Sequence, residues 1–163
     1  MFALRLNPEF KSSSLYHVKY FILWSMSKST DLRMGRICVF ALHVHLVFVT
    51  KFRRRVFTKE ILGHTREIFN SVCRDFQAEL VGFEGEKDHV HLLVNYPPKV
   101  SVSKLVNSLK GVSARLLRKK GYPILVKYLW SGSLWSPSYF AGSCGGSPIS
   151  IIRQYIEEQN TPK

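Results

Sequence analysis

Acidic side chains are scarce in this chain of 163 residues: 11 Asp and Glu stand against 24 Lys and Arg, for a formal charge of +13. A surface that basic, with a pI near 9.9, disfavours cationic partners and favours polyanions. Aromatic residues make up 13% of the chain, which points to nucleic acid rather than an anionic membrane. Cysteine is also sparse. Cys38, Cys73 and Cys144 are odd in number, far apart and in no Cys-x-x-Cys pair. Neither a disulfide framework nor a cysteine zinc site follows, and a reducing cytoplasm is the expected compartment. No apolar run reaches the ~20 residues of a membrane helix. There is no glycine-rich phosphate loop, no low-complexity tract and no internal repeat.

What is present begins with an unusual lead-in. Residues 1–25 include "LYHVKYFILW", an apolar stretch interrupted by lysine, with no small-residue cleavage site after it. The polar "SMSKSTDLRMGR" then reads as a flexible approach to the domain. Residues 1–25 are expected to be a dispensable extension, or a start set upstream of Met26; a docking arm is the alternative. Residues 26–163 read as a single domain, a size ample for one core.

Ile37 to Thr50 is an apolar, β-branched run and reads as one long strand, stopped by "KFRRR". "FTKEILGHTREIFNSVCRDF" has helical spacing, with Ile61, His64, Ile68, Phe69, Val72, Cys73 and Phe76 on one face and Thr58 as N-cap. "AELVGFEG", the turn "EKD" and "HVHLLVNY" form a hairpin ended by Pro97-Pro98. "SVSKLVNSLKGVSARLLRKKG" is a second amphipathic helix, with Val102, Leu105, Val106, Leu109, Val112, Leu116 and Leu117 as its stripe. "LWSPSYFAGS" reads as a last strand, and "SPISIIRQYIEEQN" as a closing helix. The fold class is therefore α+β. The order β-α-β-β-α-β is that of a ferredoxin-like split βαβ, an antiparallel sheet with two helices on one face, followed by an extra C-terminal helix.

Four of the six histidines lie in two similar strands, "LHVHLVFV" and "DHVHLLVN". Alternation puts His43 and His45 on one side, and His89 and His91 on one side. The opposite faces are wholly apolar and belong under the helices, so all four imidazoles are expected on an open face. The first and third strands are neighbours in this topology, which brings the pairs together. Two imidazoles at i and i+2 can reach one cation, but a third ligand is needed. Spacing does not choose between the pairs, and histidines on a sheet that merely hydrogen-bond fit equally. Asp88 has the opposite parity from His89 and His91, so a regular strand does not offer it as the third ligand.

The closing helix offers candidates. Tyr155 and Gln159 are four residues apart and share a face, with Glu158 also in reach. A carboxamide oxygen suits Mg²⁺ or Mn²⁺, and a phenol beside a cation is a potential nucleophile.

"VFALHVHLVFVTKFRRRVF", "GEKDHVHLLVNYPPK", "LVNSLKGVSARLLR", "LWSPSYFAGSCGG" and "IIRQYIEEQ" together resemble the single-tyrosine transposases of the insertion sequence 200/605 class. These belong to the HUH (His-hydrophobic-His) endonuclease superfamily, and the likeness runs from Met26 onward. It implies His89, His91 and Gln159 as metal ligands and Tyr155 as nucleophile. His43 and His45 become support for the site or a DNA contact. The implied reaction is transesterification of single-stranded DNA through a 5′-phosphotyrosine and a free 3′-hydroxyl. It needs a divalent cofactor: Mg²⁺ by cellular abundance, although imidazoles suit Mn²⁺ better.

The implied partners are DNA hairpins at the element's ends and a second copy of the chain. In that homodimer the tyrosine helix is exchanged, which the glycines of "GSCGGS" would permit. The implied setting is the cytoplasm of a bacterium or archaeon, acting at the nucleoid. DNA is expected on Lys51, Arg53, Arg54 and Arg55 after the first strand, and on Lys110, Arg115, Arg118, Lys119 and Lys120 of the second helix. Trp130, Trp135, Tyr139 and Phe140 are candidates to stack on unpaired bases. The competing readings are a domesticated relative that processes repeated extragenic palindromes, and a non-catalytic single-strand or RNA binder on an open sheet.

Overall fold

The structure is a computed structural model that describes residues 32–129 and 132–144. The expected closing helix with Tyr155, Glu158 and Gln159 lies outside the described residues, as do residues 1–25 and Trp130. The chain forms two compact units, Met1–Phe40 and Ala41–Lys163. Described in the first is a short hairpin of β1 (Arg33–Met34) and β2 (Val39–Phe40), with Arg33 opposite Phe40. The Arg33 guanidinium lies 5.6 Å from the centre of the Phe40 ring.

The second unit runs β3 (His43–Val49), α1 (Lys59–Asp75), β4 (Glu79–Gly85), β5 (His89–Asn95), α2 (Val102–Lys120), α3 (Pro123–Leu129) and β6 (Phe140–Ser143). Its sheet has the order β4-β5-β3-β6, and every neighbouring pair is antiparallel. Alternation buries Val44, Leu46 and Phe48 of β3 together with Val90, Leu92 and Val94 of β5. Ile61, Phe69, Val72 and Cys73 of α1 join them, as do Leu105, Val106, Leu109 and Leu117 of α2. Each such large side chain contributes roughly 1.5–3 kcal/mol by leaving water. Thr58 caps α1 as its side-chain oxygen accepts from Ile61 N at 3.3 Å, and Gly121 ends α2 at φ +73°, a left-handed conformation suited to glycine. Among the described residues no helix is long and apolar enough to cross a membrane.

The structure departs from the sequence expectations at several points. The run Ile37 to Thr50 is not one strand. Its apolar residues favour extended backbone throughout, but the hydrogen-bonding partners change: Val39–Phe40 pair with β1, whereas His43–Val49 pair with β5 and β6. The last strand is confined to Phe140–Ser143. Pro137 has no N–H to give a ladder, and the carbonyls of Ser136, Pro137 and Ser138 turn to Lys110 Nζ at 2.5, 3.2 and 3.1 Å. The apolar segment after Gly121 forms the extra helix α3, opened by Pro123 and seated by buried Leu125. On α2, Leu116 of the expected stripe is exposed, and on α1 His64 is only half-buried and bonds to Tyr122.

Candidate active site

β3 and β5 run side by side, with His43 opposite Asn95 and His45 opposite Leu93. His91 is therefore the diagonal neighbour of His45, within reach across the pair. The four imidazoles share the face opposite the helices, as alternation requires, but that face is not open along its whole length. His43 is buried, as are Leu93 and Asn95 on the same side of the sheet, while His45, His89 and His91 are half-buried. The reason is local: His43 Nε2 finds the Asn95 carboxamide nitrogen at 3.0 Å, which satisfies a polar group away from water.

The remaining three histidines form one cluster. His45 Nε2 and His91 Nδ1 lie 3.1 Å apart and share a hydrogen bond, with their rings stacked at 5.3 Å. The His89 and His91 rings are 5.1 Å apart. Asp88 sits just before β5, where strand alternation no longer governs it, and its Oδ1 accepts from His89 Nδ1 at 2.7 Å. Its Oδ2 accepts from Arg53 Nε at 2.9 Å. The peptide backbone locks the same corner: Thr50 N donates to Asp88 O at 2.8 Å and Phe57 N to Lys87 O at 3.0 Å. Phe140 of the edge strand meets His45 edge-on at 5.8 Å.

Burial, and after it the neighbouring His45 and His89, push the His91 ring down to about 4. Burial also lowers His45. Both are neutral near pH 7. Burial alone would raise the Asp88 carboxyl, but the bonds to His89 and Arg53 and their charges bring it below its usual range.

This donor set fits a divalent cation. A metal needs an unprotonated imidazole nitrogen, with the other ring nitrogen held by a neighbour. His89 must carry its proton on Nδ1 to reach Asp88, and His91 has its Nδ1 committed to His45. With His91 donating from Nδ1 to His45 Nε2, both His89 and His91 keep an Nε2 lone pair for a ligand, whereas the Nε2 atoms of His43 and His45 are engaged by protein. Glu86, Asp88 and His89 also offer ligand atoms within 4.8 Å of one another, with Glu86 Oε1 3.9 Å from His89 Nε2.

The family described as "Transposase IS200 like" matches residues 38–159 of this chain. The chain belongs to the IS200-like transposase family. It is 33% identical over 130 residues to the ISDra2 transposase TnpA of Deinococcus radiodurans, across 80% of this chain and 92% of that one. It is 30% identical over 115 residues to the transposase for insertion sequence element IS200 of Salmonella typhimurium, covering 71% and 74%. A crystal structure of a protein assigned as a transposase from Deinococcus radiodurans R1 superposes with a TM-score of 0.63 at 34% identity, over 80% of this chain and 99% of that one.

The basic residues of the transposase divide into two groups. Arg53 is committed to Asp88, Arg54 to the Tyr128 carbonyl, Arg118 to the Gly132 carbonyl at 3.0 Å, and Lys110 to the loop 136–138. Burial lowers Lys110 from its ordinary value. Lys120 Nζ lies 3.3 Å from His64 Nε2. Arg55 and Arg115 are exposed. Of the proposed stacking residues, Trp135 is core instead: it is buried among Phe48, Phe57 and Phe69, and its Nε1 donates to Ser113 Oγ at 2.9 Å. Tyr139 and Phe140 are exposed. Sequence reasoning set Asp88 aside on strand parity, which says nothing of a residue just outside the strand, and gave Arg53 to DNA rather than to the support of Asp88.

Proposed function

We propose that this transposase cuts and rejoins single-stranded DNA at hairpin-bearing ends of its element, through a covalent 5′-phosphotyrosine on Tyr155. The observation that carries the reading is the paired anchoring of His89 on Asp88 and His91 on His45, at 2.7 and 3.1 Å. That arrangement turns two imidazoles into one preorganised pair of ligands. The sheet order β4-β5-β3-β6 supports a ferredoxin-like split βαβ, to which a C-terminal helix adds Tyr155.

His89, His91 and Gln159 would hold the divalent ion, Mg²⁺ in the cell with Mn²⁺ acting equally well. Bound there, it would stabilise negative charge on the phosphate oxygens, an effect on the order of several kcal/mol. The bonds from His89 and Arg53 hold the Asp88 carboxyl low, and Asp88 keeps the His89 proton on Nδ1. The Tyr155 phenol, with an ordinary pKa near ~10, loses its proton as its oxygen attacks the scissile phosphorus. The bond from phosphorus to the 3′-oxygen breaks, and that oxygen takes up a proton as a free hydroxyl. A 3′-hydroxyl from another end then attacks the phosphotyrosine, restores the phosphodiester and returns the phenol. One phosphoester replaces another, so the exchange needs no nucleotide hydrolysis.

The protein works as a homodimer in the cytoplasm, with Tyr155 of one copy placed against His89 and His91 of the other. End-labelled single strands from the DNA flanking its gene test this reading. Wild-type protein cleaves them only with Mg²⁺ or Mn²⁺, and Tyr155→Phe and His89→Ala are each inactive. Mixing the two variants restores cleavage if the helix is exchanged; a mixture that stays inactive rules the exchange out. Cleavage that survives either single variant rejects the site.

A further inference from the structure

The turn after β3 holds the most unusual backbone near the site. Phe52 has φ +61° and Arg53 φ +51°, left-handed values that a side-chain-bearing residue rarely adopts. Phe52 is also 74% exposed. Its ring gains little from burial, and its backbone is held against its preference. The turn is over-determined by its neighbours: Lys51 N donates to Leu134 O at 2.8 Å, Arg53 N to Thr50 O at 3.0 Å, and Thr50 Oγ1 to Arg54 O at 2.8 Å. Strain maintained in this way clusters at functional sites.

A single exposed phenylalanine is ordinary on a protein surface. This one differs in what surrounds it. Lys51 Nζ lies 5.2 Å and Arg54 Cζ 5.4 Å from its ring centroid, and Arg55 follows directly. An apolar partner would have to desolvate those cations, whereas a nucleotide brings an aromatic face and a phosphate together. The turn is also coupled to the histidines. Arg53, the next residue, grips Asp88 Oδ2, and Asp88 Oδ1 holds His89.

We propose that Phe52 is a base-stacking residue, taking one unpaired nucleobase of the substrate strand onto its ring while Lys51 and Arg55 face the adjoining phosphates. The Arg53–Asp88–His89 chain fixes the distance from that base to the candidate metal ligands, so the stacked base sets which phosphate reaches them. The assignment rests on the reading of this site as one that handles single-stranded DNA. It makes Phe52 a positioning residue, since the base it holds is not the reacting group.

The test uses the full-length protein and a hairpin-bearing single strand from the flank of its own gene. Each unpaired position in turn carries either 2-aminopurine or an abasic residue. Wild-type protein should quench 2-aminopurine at one position and lose affinity roughly 5- to 100-fold when that position is abasic. Phe52→Ala should weaken binding of the intact strand by a similar factor, yet bind the strand abasic at that position as wild type does. Phe52→Trp should keep the quenching, and Phe52→Ala should spread cleavage over neighbouring phosphates. Equal binding and equal cleavage position for wild type and Phe52→Ala would overturn the stacking role alone, as would a loss equal at every abasic position. Wild-type protein that neither binds nor cuts the strand would overturn the reading of the site as well.

Discussion

Asp88 accepts the Nδ1 proton of His89 at 2.7 Å although the two residues are consecutive. That proximity is made possible by Asp88 standing just before β5, where its side chain can fold back onto its neighbour's ring. Carboxylate support of this kind tunes a ligating imidazole and fixes its tautomer. Replacing Asp88 by Ala should therefore weaken Mn²⁺ binding roughly 10- to 100-fold, read by calorimetry on the DNA-free protein. His45→Ala should do the same through His91. His43→Ala should lower stability by roughly 1–3 kcal/mol, because it removes the imidazole nitrogen that the Asn95 carboxamide nitrogen reaches at 3.0 Å in a buried setting, and should leave Mn²⁺ affinity in place. Equal metal affinity in all three variants would reduce the cluster to a structural network.

The basic residues are separable by what they already touch. Arg55→Ala and Arg115→Ala should each flatten the log–log salt dependence of single-strand binding by roughly 0.7, with no change in thermal stability. Lys110→Ala should instead destabilise the fold by roughly 1–2 kcal/mol, since its ammonium holds three carbonyls of the loop before β6. Melting curves and salt titrations on the same three variants decide the matter. A stable Lys110→Ala with a flattened slope would return Lys110 to the DNA.

Cys73 provides an alkaline signature. Burial in the α1 face pushes its thiol from 9.0 to about 12. The folded value lies above the unfolded one, so this contribution is complete below pH 9 and fades as pH rises toward 12, the unfolded thiol ionising first. Stability should fall by about 1 kcal/mol between pH 9 and 10 on this account, and Cys73→Ala should flatten that slope. At pH 8 iodoacetamide should label exposed Cys38 and spare Cys73 until the protein unfolds. Labelling of native Cys73 at the rate of Cys38 contradicts the packing.

The cap of α1 supplies a simpler check. Thr58→Ala should cost about 1 kcal/mol by freeing the Ile61 amide, and Thr58→Asp should not. Chemical denaturation measures both.

Much of the fold was legible because periodicity reports burial. The apolar positions of β3 and β5, the cap at Thr58 and the stop at Gly121 follow from local patterns, and the structure contains them. Hydrogen-bond partnership was not legible. An apolar run looks the same whether it pairs with one neighbour or two, so the division between Val39–Phe40 and His43–Val49 was invisible. Lysine side chains with long reach hid in the same way: Lys110 lies off the apolar stripe of α2, yet it folds over to the loop 136–138. At the site, the histidine spacing showed that imidazoles would meet, while the identity of each ring's second partner depends on the side-chain geometry of Asp88, Asn95 and Arg53. Trp135 shows the opposite case, an aromatic that composition offers to DNA and packing claims for the core.

The most direct measurement is the covalent adduct. Protein is incubated with a labelled hairpin-bearing single strand with and without Mg²⁺ or Mn²⁺, resolved under denaturing conditions, and the modified peptide is identified by mass spectrometry. The expected result is a metal-dependent adduct in which the Tyr155 oxygen carries a 5′-phosphate, absent from Tyr155→Phe and from His89→Ala. No adduct, together with tight salt-sensitive binding retained by both variants, would contradict it and leave a DNA-binding protein whose histidines only hold its sheet together.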